Sequence, residues 1–370
     1  MADTGTDIGV VPDPATDRPA AGDPTTEVIL SGHRSRHRWL RLGPMLVLQV
    51  PLYSIALVLL VIGGRTLAAS VAWAVVLVGS LVASVLVWRQ IGWVPRGAEL
   101  LTTQAWRPVT TRVVRVGWES TVVEIEENGA FVPLTVRGLP PAHRAMISRT
   151  GRAWLVGPAG ALCVFRVDGA HAFWPAVVRT RPLRPAAVVE QVSAAEVSRR
   201  AAARARLDVL GPLAVLVPST PLGGVFLTTV SPFNVPGAVM WLAMVVLAGV
   251  LLLLQARYRW AGLRLPGLVE AGEWVAVSAL LGPWRARLDG TAEATAVLTL
   301  PDGETRTARL PGASVDLLGT VWETGALWFA GQPEPGTTRA AGFPGYPLLA
   351  VAKIGPGQVD PARTDAGKID

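Results

Sequence analysis

The sequence predicts an α+β membrane protein. Four transmembrane helices form two parallel-repeat hairpins, and each hairpin precedes a small, mostly-β cytosolic domain of barrel or sandwich type. Three observations predict this class. Long uncharged runs occur in two places along the 370 residues, whose mean hydropathy is +0.41 and of which only 16% are charged, against about 25% charged in an ordinary soluble domain. Arginines crowd one side of those runs. A motif then recurs at nearly constant spacing.

The first runs are 42–64 and 66–88, each 23 residues without a charge, joined by a turn at Gly63–Thr66. About 20 helical residues cross a hydrocarbon layer of roughly 30 Å. Preceded by Arg34, Arg36, Arg38 and Arg41 and followed by Arg89, residues 34–89 read as a basic leader and first hairpin. The second hairpin is 209–256, turning at Ser231–Pro236. Pro212, Pro218 and Pro221 give its first half, 209–230, a kinked or re-entrant character. Neither pair of runs has the polar face of a soluble core helix. Thirteen arginines, including Arg96, Arg204, Arg206, Arg257 and Arg259, fall on one side of the runs, and Arg65 alone falls on the other. The positive side is cytoplasmic by the usual bias. The expectation is a multi-pass plasma-membrane protein with both termini in the cytoplasm.

The repeat is the most specific feature. R-x-R-x-x-x-L-G-P occurs at 36–44 and 204–212, while TGRAWLVG at 150–157 is matched by TGALWFAG at 324–331. The offsets are 168 and 174 residues. Between these anchors Asn128-Gly129 aligns with Asp302-Gly303, Leu139-Pro140 with Leu310-Pro311, and Glu99 with Glu273. The sequence therefore reads as an internal duplication. Two hairpins inserted the same way are related by an axis along the membrane normal, which argues against inverted-repeat transporters.

The duplicated domains are 90–185 and 257–357, joined by a helical linker over 186–208. Thr121–Glu126 alternates apolar and acidic residues as a half-buried strand does, and Asn-Gly or Asp-Gly then supplies a tight turn. Helices are expected at Pro141–Arg149 and Ser314–Thr324. Further strands are expected at Trp154–Val156, Val164–Val167, Trp328–Ala330 and Leu348–Ala352. Residues 1–33 read as a disordered acidic tail, with six acids and one arginine in the first 30, and 358–370 as a second tail.

Catalytic signatures do not emerge. There is no phosphate-binding G-x-x-x-x-G-K-S/T, no H-E-x-x-H and no G-x-S-x-G. A lone cysteine, Cys163, excludes an intrachain disulfide and reads as a small buried hydrophobe. His33 and His37 have i, i+4 spacing but no acidic or thiol partner nearby, and His143 and His171 read as surface or turn residues. Glu99 and Glu273 read as salt-bridge partners of nearby arginines. No metal, cofactor or catalytic residue is assigned.

Residues 90–185 carry a net +6 and residues 258–357 a net −1. The expectation is a non-catalytic scaffold or assembly subunit whose paired β-domains bind a partner protein or anionic lipid of the inner leaflet. Arg34, Arg36, Arg38, Arg41, Arg89, Arg96, Arg204, Arg206, Arg257 and Arg259 are the membrane-surface residues. The alternative is a subunit of an oligomeric transporter or channel, and an oligomer is left open. Nucleic acid ranks below both partners, because no recognition module is present. Leu298–Gly303 with the strand around Trp328 resembles the small barrel of the NfeD-like membrane proteins. The resemblance covers less than one domain and implies no function here.

Overall fold

The computed structural model describes residues 11–42, 92–117, 119–179, 192–210, 259–287 and 289–357, with isolated residues at 78, 246, 249 and 250. The chain divides into two compact units. One comprises 1–34, 94–206 and 259–370; the other comprises 35–93 and 207–258. Almost all described residues belong to the first.

A 3-10 turn at Ala20–Gly22 leads into α1 (Pro24–Leu42), and α2 (Val94–Thr103) precedes the first β-domain. That domain contains β1 (Arg107–Val116), β2 (Ser120–Glu127), β3 (Ala130–Arg137), α3 (Pro141–Thr150), β4 (Arg152–Ala159), β5 (Leu162–Val167) and β6 (Phe173–Val178). The strands close into a barrel in the order β1-β2-β3-β6-β5-β4. The β2–β3 turn places Asn128 at φ 53° and Gly129 at φ 76°, the positive values that a two-residue hairpin demands. Pro141 opens α3 and Gly151, at φ 64°, closes it. Inside lie Val123, Leu134, Val136, Met146, Leu155 and Phe165, each fully buried.

Residues 194–210 form α4. After α5 (Leu265–Val269) come β7 (Trp274–Leu281), β8 (Arg285–Ala286), β9 (Thr291–Thr299), β10 (Thr305–Ser314), α6 (Val315–Thr324), β11 (Ala326–Ala330), β12 (Thr338–Gly342) and β13 (Leu349–Gly355). The β9–β10 pairing closes six of these strands, in the order β7-β9-β10-β13-β12-β11, with β8 added beside β9. The two barrels thus share one strand order, and each inserts its helix between its third and fourth ring strands. Ser314 caps α6 by accepting from the Leu317 amide, and Gly325 at φ 63° ends the helix. Gly151 and Gly325 occupy the same place in the two barrels.

The four-helix membrane fold is corrected. Among the described residues no helix is long and apolar enough to cross a membrane. Among the described helices α1 spans 19 residues, but it carries Glu27, Arg34, Arg36, Arg38 and Arg41. The described architecture is two closed barrels with short helices. The runs read as hairpins lie almost wholly outside the described residues. The expected multi-pass plasma-membrane location rested on uncharged runs and arginine counts, and no helix among the described residues supports it. An uncharged run measures composition; it does not by itself establish a helix.

The expected acidic tail differs too. Val11, Ala20 and Leu30 are buried, and α1 begins at Pro24. The Ala20 amide donates to the Gln104 carbonyl at 2.9 Å. Sparse apolar residues suffice here because each one enters a prepared site, while the polar groups between them are bonded.

Candidate functional site

The densest set of buried ionisable groups lies where the start of α1 meets both barrels. Asp23 precedes Pro24 at the helix start, where a short carboxylate suits the unpaired amides. Its Oδ1 accepts from the Thr25 amide at 3.1 Å, and its Oδ2 accepts from the Thr26 amide at 3.3 Å and the Thr26 hydroxyl at 2.6 Å. Arg166, on β5, is 1% exposed. Its Nε donates to the Ala170 carbonyl, and its guanidinium carbon lies 5.8 Å from the centre of the Trp106 ring. Arg166 Nη1 lies 3.7 Å from Asp23 Oδ2.

His171 follows in the β5–β6 loop, also 1% exposed. Its Nδ1 stands 3.4 Å from Arg166 Nη2 and 3.7 Å from Asp23 Oδ2, and its Nε2 stands 3.5 Å from Glu323 Oε2. From α6 of the second barrel, Asp316 accepts the His171 amide through Oδ1, and Glu323 accepts the Thr25 hydroxyl at 3.2 Å. One terminal segment and two barrels therefore meet through a single charge network.

The electrostatics follow from this crowding. Burial alone would raise Asp23. The hydrogen bonds from His171 and Thr26, with the positive charges of His171 and Arg166, outweigh it and hold Asp23 well below the usual carboxylate range. Burial raises Glu323, and the neighbouring Asp23 charge pushes it further up, against the pull of His171. Burial lowers Arg166, opposed by Asp23, Asp316 and Glu323.

Donor atoms of Asp23, His171 and Glu323 lie within 4.8 Å of one another, so these three residues could approach a metal ion. The donor set argues against that use. Arg166 already supplies fixed positive charge beside Asp23, where a cation would have to sit. Chemically, the arrangement is an ion network that fixes three chain segments.

Tyr346 completes the junction. It packs against both cores, and Arg149 lies 5.7 Å from its ring centre while donating to the Gly345 carbonyl at 2.6 Å. The Gly345 amide donates to Ser198 of α4. Gly319 of α6 lets that helix approach α1: a Cβ there would lie 2.2 Å from Thr25 Cγ2 and 2.9 Å from its Cβ. Gly319→Ala is expected to cost about 1–3 kcal/mol in denaturant unfolding, with partial recovery in Gly319→Ala/Thr25→Ala. A cost no different in the double variant would show that the contact is not the cause.

The structure does not gather the arginines expected at a membrane surface into one site. Arg34 pairs with Glu27 at 3.1 Å, and Arg259 with Asp289 at 3.2 Å. Arg36 and Arg204 are engaged as well. Arg38, Arg96 and Arg206 are exposed. Arg41 lies in α1, and Arg89 and Arg257 lie outside the described residues. Glu99 and Glu273 are exposed and make no ion pair among the described residues. Cys163 is buried, and burial pushes its thiol up to about 11, which suits an inert packing group.

His171 is buried, not a surface residue, and His143 is half-buried with both ring nitrogens sealed from solvent. Sequence reasoning missed Asp23, Arg166, His171, Asp316 and Glu323 as a set. One usable signal was Asp-Pro-Thr-Thr at 23–26, a helix start inside an apparent tail. Comparison with protein-family models, with curated proteins and with solved structures finds no match.

Proposed function

We propose that this chain is a non-catalytic scaffold whose two barrels, copies of one ancestral unit, together bind a partner protein. The observation that carries the reading is the buried junction. An ion network of this kind is weak support for stability as such, yet it fixes relative placement well. Two similar domains held in one arrangement present a composite surface that neither offers alone.

On the second barrel Leu280, on β7, and Trp322, near the end of α6, are large apolar side chains. They are 60% and 51% exposed. Large aromatic and aliphatic side chains left this exposed are candidate anchors for a protein partner. The test is crosslinking of the full chain in its native cell, compared with Leu280→Ser/Trp322→Ser. A stoichiometric partner captured by the natural chain and lost from the variant is expected. Equal capture by both, or none by the natural chain, would overturn the reading.

A further inference from the structure

A second site lies on the first barrel, away from the buried junction. β1 and β2 lose register between Val113 and Arg115: Val113 faces Val123 and Arg115 faces Val122, leaving Val114 as the extra residue of a bulge. Val109, Thr111 and Val113 point inward and are buried. Strict alternation would send Arg115 inward after them. The bulge turns it outward instead, and Arg115 is exposed, as such bulges do when they re-aim a side chain.

Outward from this bulge lies a cleft of about 530 Å³, within the range of small-ligand sites. Val114, Val116 and Pro141 give it an apolar wall; Arg115, Arg144 and Arg200 give it three guanidinium groups. Arg115 and Arg144 have no acidic partner among the described residues. Arg200 shares the single carboxylate of Glu196 with Arg199, at 2.7 and 3.0 Å. Burial and the like charge of Arg200 both hold Arg144 below its ordinary value. Elsewhere on the same strand Arg112 is paired twice with Glu124 and lies over Phe131. Two guanidinium groups without an acidic partner among the described residues, and a third that shares one, therefore line the cleft.

We propose that this cleft binds a small organic anion, a phosphate or carboxylate head on a short apolar body. The head meets Arg115, Arg144 and Arg200, whose planar forks suit such oxyanions. The body lies on Val114, Val116 and Pro141. The site is independent of the partner surface on the second barrel.

The test is calorimetric titration of the full chain with octyl phosphate, octanoate, octanol and inorganic phosphate. Octyl phosphate or octanoate is expected to bind at least about tenfold more tightly than octanol or inorganic phosphate. Arg144→Gln and Arg115→Gln/Arg200→Gln are expected to weaken that binding about tenfold, whereas Arg309→Gln, on the second barrel, is not. Thermal melts of the variants separate lost binding from lost folding, since Arg144 has no acidic partner among the described residues to lose. Equal affinity for octyl phosphate and octanol, or unchanged affinity in Arg144→Gln, would overturn the site. Binding to phosphatidylglycerol vesicles without binding to either soluble anion would overturn it as well, assigning the charge to a lipid surface.

Discussion

Asp23→Ala is expected to destabilise the protein by about 3–5 kcal/mol in denaturant unfolding, the cost of leaving a buried charge without its partner. Arg166 is 1% exposed, and its Nη1 makes no hydrogen bond in the structure; the nearest carboxylate oxygen recorded for it is Asp23 Oδ2 at 3.7 Å. Removing Asp23 also strips the start of α1 of a cap worth about 1 kcal/mol. Asp23→Leu/Arg166→Met removes both charges and is expected to recover much of the loss, because an apolar replacement of a buried pair is often neutral. A cost below about 1 kcal/mol in Asp23→Ala would show that the network carries no stability.

The same residue sets an acid limb. Its folded-state value is lowered, so its contribution is complete above the unfolded value and is lost as pH falls beneath the ordinary carboxylate range. Glu323 acts in the opposite sense. Its raised value makes its charge unfavourable to folding at neutral pH and eases on protonation.

Local structure was legible where one residue type decides the backbone. Asn128-Gly129 and Gly303 fix hairpin turns, and Gly151 and Gly325 end helices at φ near +64°. The alternation at Thr121–Glu126 marks β2 because one face must be buried and the other wet. The repeat between 150–157 and 324–331 falls on β4 and β11, corresponding strands of the two rings. Closure was not legible, since pairing β1 with β4 or β7 with β11 depends on contacts that local pattern does not encode.

The site was legible least of all. Asp23, Arg166, His171 and Glu323 are separated by up to 300 positions. Read singly, each is an ordinary tail, strand, turn or helix-end residue. The acidic count over 1–30 concealed a buried carboxylate because composition averages Asp23 with its neighbours. Arg115 was hidden for a different reason: its outward direction comes from a bulge, and a strict period of two places it in the core.

Stability is expected to fall by about 3 kcal/mol as pH drops from 6.5 to 4, through His143 alone. Burial lowers this imidazole from 6.5 to about 4, and Asp316 of α6 pulls weakly the other way. Both ring nitrogens are sealed without a hydrogen-bond partner, and the Trp174 ring of β6 stands edge-on at 4.6 Å. The folded protein therefore holds the neutral ring, while the unfolded chain takes up its proton first, near pH 6.5. The stabilisation is complete above that pH, declines as pH falls, and is exhausted near pH 4; each unit is worth about 1.4 kcal/mol. The window lies above the range in which Asp23 takes up its proton, so the two limbs separate along the pH axis. Unfolding free energies measured at half-unit intervals are expected to slope between pH 6.5 and 4 in the natural chain and to lose that slope in His143→Leu. An undiminished slope in the variant would assign the acid sensitivity to another group and return His143 to the role of a packing residue.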